Sequence, residues 1–194
     1  MKALIVVDLQ NDFCEGGTLE VKNSEEIITP INRLVEHFTS ATLPIFFTRD
    51  WHPENHCSFK EYGGLWPKHC IAGKIGASFN EEVLIPEEAR IISKAEKQNA
   101  DAYSGFEGTP LDSRLKERDV DSIIVCGLAT DYCVKNTVLD ALKLNYKVTV
   151  TTDGIRAVNI KPEDGDKAIE EMKSAGAIIS TSEKIINSAL NGKR

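Results

Sequence analysis

The chain has no paired-cysteine motif, no long apolar run and no excess of basic charge, and each absence removes a class of function. Its five cysteines are Cys14, Cys57, Cys70, Cys126 and Cys133, and none forms a Cys-x-x-Cys pair. That excludes a four-cysteine zinc site and a thioredoxin-like redox motif, and the thiols are expected to be reduced rather than a disulfide framework. With 23 Lys and Arg against 30 Asp and Glu, the formal charge is -7. A surface that tracks phosphates is thereby disfavoured, so no nucleic-acid partner is expected and small molecules are. The run Ala3 to Val7 is too short for a signal segment or a membrane span, and a cytoplasmic protein without a membrane partner is expected. No Pro/Gly/Ser-rich stretch, low-complexity segment or repeat breaks the 194 residues, so residues 1–194 are expected to form one domain. Self-association stays open.

What is present is an alternation. Short β-rich apolar runs recur at 3–7, 44–48, 90–93, 122–126, 147–151 and 177–180, with longer amphipathic stretches among them. Ile27, Ile28, Ile31, Leu34, Val35 and Phe38 follow helical spacing behind a candidate cap at Ser24. Further helices are expected at 111–118, 132–144, 162–174 and 182–190. The pattern predicts an α/β fold, a three-layer domain with a parallel sheet covered by helices on both faces.

The strands end in reactive groups. Ile123 to Leu128 reads as a buried strand that breaks into a helix starting near Cys133, where backbone N–H groups and the helix dipole favour a thiolate and an oxyanion. Ala3–Val7 ends at Asp8, and Ile91–Ser93 ends at Lys94. In an open parallel sheet such ends converge on one crevice, so Asp8, Lys94 and Cys133 are candidates for an activated-nucleophile site in which a carboxylate takes the thiol proton. A buried structural thiol is the alternative for Cys133.

Histidine is scarce. Three of the four, His52, His56 and His69, fall in Trp51–Glu82, a stretch poor in apolar runs and rich in glycine. Long irregular segments in compact domains are usually functional. Asp50 and His52 share one side of an extended segment, and His56 or His69 could complete a divalent-metal site for zinc, iron or manganese. Loop histidines bonded to backbone are the alternative. Phe13, Trp66 and Tyr103 either line a pocket for a flat ring or belong to the core.

Together, Val7-Asp8-Leu9-Gln10-Asn11-Asp12-Phe13, Asp50-Trp51-His52-Pro53-Glu54-Asn55-His56, Trp66-Pro67-Lys68-His69-Cys70, Lys94, Ala102–Phe106 and Gly127-Leu128-Ala129-Thr130-Asp131-Tyr132-Cys133 resemble the nicotinamidase (pyrazinamidase) branch of the isochorismatase-like cysteine hydrolases. The resemblance implies a six-stranded parallel sheet and a triad of Asp8, Lys94 and Cys133. It implies one divalent metal, zinc before iron or manganese, on Asp50, His52 and His69, with His56 as a further candidate ligand. A ring clamp of Phe13, Trp66 and Tyr103 is also implied, as is a cis peptide between Leu128 and Ala129 that aims the Ala129 N–H at the oxyanion. The implied reaction hydrolyses nicotinamide, and with it pyrazinamide, through a thioester, a step in NAD salvage. Two positions depart from the family pattern: Ala95 stands where glycine is common, and Leu128 where valine or isoleucine is. The rivals are a related amidase for carbamoyl, ureido or other small amides, an isochorismatase-type hydrolase, and a non-enzymatic metal-binding or redox-sensing protein.

Overall fold

The computed structural model describes residues 1–191; residues 192–194, the end of the expected domain, lie outside the described residues. Six strands, β1 (Lys2–Val7), β2 (Ile45–Asp50), β3 (Arg90–Lys94), β4 (Ser122–Leu128), β5 (Lys147–Arg156) and β6 (Ile178–Ser180), form one sheet in the order β3-β2-β1-β4-β5-β6. Every pairing is parallel. The order reverses between β1 and β4, which opens a crevice beyond their carboxyl ends.

Period-two alternation divides β1 between two cores. Leu4 and Val6 face one side with Ile31, Leu34 and Phe38 of helix α1 (Ile28–Ser40), and Ile185 and Ile186 of α5 (Ser182–Asn191) pack against that cluster. Ala3, Ile5 and Val7 face the other, with Leu111 and Leu115 of α2 (Leu111–Lys116), Val138 and Ala141 of α3 (Lys135–Lys143) and Met172 of α4 (Asp164–Ser174). The central strands are therefore apolar and buried from Ala3 to Val7 and from Ile123 to Leu128, as strands covered on both faces must be. No described helix is long and apolar enough to cross a membrane.

The structure corrects several expected boundaries. Ser24 is buried and bonds Glu25 instead of capping a helix; a short 3-10 turn, Ser24–Ile27, leads into α1. Pro30 sits in the first turn of α1, where a missing N–H costs nothing. β5 runs on to Arg156, past a register shift opposite Val125/Gly127. The helix expected from Tyr132 starts as a wide turn, Thr130–Val134, in which Val134 N–H reaches back five residues to Ala129 O at 3.1 Å.

Candidate active site

Gly127 determines where the nucleophile stands. It has φ +111° and passes so close to β1 that a Cβ there would lie 2.0 Å from Val7 O, so only glycine fits. The chain then makes the cis Leu128–Ala129 peptide implied by the resemblance and enters the wide turn that carries Cys133. One strand away, β1 ends at Val7 and Asp8 turns out of the sheet with φ +47°. Asp8 and Cys133 thus flank the crevice at the point where strand order reverses.

Lys94, at the end of β3, reaches across to join them. Its Nζ is buried and donates to Asp50 Oδ1, to Ala102 O at 3.1 Å and to Cys133 Sγ at 3.5 Å. Asp8 Oδ2 is 3.0 Å from the same ammonium, yet it accepts no aligned hydrogen bond; Asp8 Oδ1 accepts from the Thr48 hydroxyl at 2.7 Å. One acceptor oxygen of Asp8 is thus left over beside the thiol.

Burial decides the resting charges. It pushes the Cys133 thiol well above its ordinary value, and Asp8 and Asp50 add to that while Lys94 opposes it. The helix start favours a thiolate; desolvation and the two carboxylates outweigh it and hold the thiol toward its protonated form. Burial also raises the Asp8 carboxyl, with Lys94 only partly offsetting it, which suits Asp8 to accepting a proton. Burial disfavours the charge on Lys94, but Asp50, Asp8 and Cys133 together hold it firmly protonated. Asp50 is opposed by burial as well, yet Lys94 and His52 pull it well below the usual carboxylate range.

Asp50 links this trio to the histidines. Asp50, His52 and His69, all buried, bring one ligand atom each within 4.8 Å of one another. His52 Nδ1 faces Ala95 O at 3.1 Å and His69 Nδ1 faces Pro67 O at 2.8 Å. A carbonyl only accepts, so both Nδ1 atoms donate there, and Nε2 is the ring atom each histidine has left to offer as a ligand. His52 Nε2 has no hydrogen-bond partner although it is buried, and burial lowers the pKa of His69 toward the neutral form. Two imidazoles oriented by backbone carbonyls plus a carboxylate fit a divalent cation. His56 lies outside this group. It stacks on His52 with centroids 4.2 Å apart, and its nitrogens are engaged by Ser58 Oγ at 2.8 Å and Ala100 O at 3.2 Å.

The aromatic candidates meet over the same crevice. Phe13, Trp66 and Tyr103 line one pocket with Ala129, Cys133 and His69. Trp66 Nε1 donates to Tyr103 OH at 3.0 Å, and Phe13 tilts against His69 with centroids 5.7 Å apart. Leu128 is absent from that lining, because its side chain belongs to the core beneath. Sequence reasoning missed Leu19, Tyr132 and Val158 in the wall. It also missed Asp131, whose carboxylate accepts the N–H groups of Val158 and Asn159 at 2.9 Å each and so ties the wall to the cysteine turn. Among the described residues, no arginine or lysine side chain lines this pocket.

Residues 2–184 match the isochorismatase domain. The chain belongs to the isochorismatase family. Within that family it is 41% identical over 201 residues to the nicotinamidase of Escherichia coli, covering 93% of this chain and 94% of that one. Among solved structures of the fold, the pyrazinamidase of Pyrococcus horikoshii in complex with zinc is 48% identical, with a TM-score of 0.89 over 93% of this chain and 98% of that one. An N-carbamoylsarcosine amidase from Thermoplasma acidophilum is 29% identical, with a TM-score of 0.79 over 93% of this chain and 96% of that one. The family assignment places the buried trio and the histidine group inside a fold that carries amidases.

Proposed function

We propose that the protein is a metal-dependent cysteine amidohydrolase that converts nicotinamide to nicotinate and ammonia, and takes pyrazinamide as well. The observation that carries the reading is the buried Lys94 ammonium, 3.0 Å from Asp8 Oδ2 and 3.5 Å from Cys133 Sγ, beside a pocket walled by aromatic rings. The nicotinamidase and pyrazinamidase relatives support the substrate.

Phe13, Trp66 and Tyr103 hold the ring and bring the carboxamide to Cys133. Asp8 Oδ2, with no hydrogen bond of its own, takes the thiol proton as Sγ bonds to the amide carbon. The carbonyl becomes an oxyanion that the Ala129 and Cys133 N–H groups receive, a contribution of about 3 kcal/mol per donor. Lys94 stays protonated and balances the charge that moves between Asp8 and Sγ. Collapse breaks the C–N bond, and Asp8 returns its proton to the departing nitrogen, which leaves as ammonia. Water then adds to the thioester while Asp8 takes one of its protons; the C–S bond breaks, that proton goes back to sulfur, and the acid product gives its remaining proton to the released ammonia and leaves as nicotinate.

Asp50, His52 and His69 would hold the metal; zinc comes first because the Pyrococcus pyrazinamidase is a zinc complex. When bound, it supplies a Lewis-acid anchor that orients the substrate. Carbamoyl or ureido acids are the weaker reading, because the nicotinamidase and pyrazinamidase relatives are 41% and 48% identical to the chain and the N-carbamoylsarcosine amidase 29%. The test is ammonia release from nicotinamide, pyrazinamide and N-carbamoylsarcosine, with metal content measured on the same sample. Preferred turnover of N-carbamoylsarcosine would overturn the substrate assignment, and no turnover of any amide by metal-loaded protein would overturn the enzyme.

A further inference from the structure

Two polar side chains in the segment after β1 take no part in the chemistry above, yet both are held in short hydrogen bonds to the backbone that carries the metal group. Gln10 is fully buried. Its Oε1 accepts the Asp50 N–H at 2.7 Å and its Nε2 donates to Asp50 O at 2.8 Å and to Ala77 O at 2.9 Å. Asp12 Oδ2 accepts the Cys70 N–H, one residue from His69, at 2.6 Å.

The sheet explains why a side chain is needed there. β1 pairs with β2 as far as Val7 and Thr48, and Asp8 N–H still reaches Thr48 O at 3.1 Å. Asp8 then leaves the sheet, while β2 continues to Asp50, whose strand partner on the other side is Lys94. The N–H and C=O of Asp50 on the β1 side would be stranded in the interior. The Gln10 amide supplies one donor and one acceptor in place of the missing strand, so a single side chain fixes both ends of the Asp50 peptide geometry. The Asp50 carboxylate is engaged on both sides as well. One of its oxygens serves Lys94 and the other faces His52 Nε2 at 3.6 Å. At Asp12 the fit is equally close, for a Cβ on Gly76 would fall 2.1 Å from Asp12 Oδ2.

We propose that Gln10 and Asp12 are positioning residues for the metal centre: Gln10 sets Asp50, and Asp12 sets the peptide beside His69. The segment Asp8–Phe13 then contributes the proton acceptor, the two supports and one aromatic wall, and it templates ligands from two other parts of the chain. This inference rests on the metal assignment above and not on the identity of the amide.

The experiment measures zinc affinity of the full chain by competition with a chromophoric chelator, with thermal melting of the metal-free protein alongside. Gln10→Met keeps length and volume and removes the amide; Asp12→Ala removes the carboxylate. Each is expected to weaken zinc binding by about 10–100-fold, the range for partners that orient metal ligands. Gln10→Glu keeps an acceptor for the Asp50 N–H and should fall between Gln10→Met and the unaltered chain, which also serves if Gln10→Met does not fold. A support of the fold alone would lower the melting temperature of these variants and leave zinc affinity within twofold, and that result overturns the proposal. Zinc binding absent from the unaltered chain would sink the metal assignment and this inference with it. Normal zinc binding without nicotinamide turnover would sink only the substrate reading.

Discussion

At Cys133 the environment opposes ionisation, so the reactive state has to be generated during the reaction by Asp8. Cys133→Ala should therefore lower turnover by about 10⁴-fold or more while the melt stays near that of the unaltered protein, since the side chain is small and its loss opens little volume. Residual turnover within tenfold of the unaltered enzyme would count against covalent catalysis. The protonated thiol also changes what an alkylating reagent will report. Cys57 is the one cysteine that is not buried, while burial raises the thiols of Cys14, to about 11, and of Cys70 and Cys126. Labelling at neutral pH should reach Cys57 first without loss of activity, and inactivation should follow the slower labelling of Cys133. Peptide mapping over time checks the order; inactivation that coincides with Cys57 labelling would contradict it. Lys94→Met keeps the stem and removes the charge that faces both carboxylates. Because Lys94 lowers the Cys133 pKa, its loss should slow Cys133 alkylation together with kcat. It also leaves Asp8 and Asp50 uncompensated in the interior, a destabilisation of about 3–5 kcal/mol. Wild-type alkylation kinetics in a folded Lys94→Met chain would remove Lys94 from the mechanism.

At the scale of elements, the strand ends were legible because period-two apolar runs stop where polar groups begin. Asp8, Lys94 and Cys133 each follow such a run, and a parallel sheet forces those ends to one edge. Asp50–His52 was legible for the same reason of alternation. Gln10, Asp12 and Asp131 were not, because each bonds backbone atoms between 27 and 67 residues away along the chain, and no pattern in their own neighbourhood encodes that distance. Gly127 belongs to the same class: its need for glycine comes from Val7 on another strand. Gly127→Ala should destabilise the protein by more than about 3 kcal/mol, combining a left-handed backbone with a backbone clash at the centre of the sheet. Urea unfolding would show it, and a midpoint unchanged from the unaltered chain would mean that β1 and β4 separate at low cost. The irregular segment after β2 behaves differently, since its few apolar contacts are supplemented by the histidine group. Chelation or His69→Ala should strip the metal and raise KM for nicotinamide by about 10–100-fold with a smaller loss in kcat. Metal-free enzyme, checked by elemental analysis, with both constants unchanged would make the group structural.

For the whole molecule, alternation of strands and helices was enough to predict the layers but not the strand order, which depends on which edge each helix crosses. The order matters for stability as well as for the site, because it buries β4, and with it Cys126, at the centre of the sheet. Cys126 is fully buried, its Sγ lies 3.7 Å from Ile5 O, and burial raises its thiol far above the ordinary 9.0. Cys14, Cys70 and Cys133 are raised in the same direction. The sign is the same for each: above the ordinary thiol pKa the unfolded chain gives up a proton that the folded chain keeps, so the unfolded state binds fewer protons and stability falls as pH rises. Lys94 adds to this above its ordinary 10.5, since the folded state holds its proton more firmly. Each raised thiol should therefore subtract up to about 1.4 kcal/mol per pH unit above pH 9, until its folded pKa is reached. Cys126→Ala removes one such group remote from catalysis. Unfolding free energies from urea titrations between pH 8 and 10.5 should fall less steeply for Cys126→Ala than for the unaltered chain, by about 1 kcal/mol per pH unit, whatever the offset in absolute stability. Parallel slopes would show that the thiol ionises as readily in the folded sheet as in the unfolded chain, and so that the centre of this sheet is open to water.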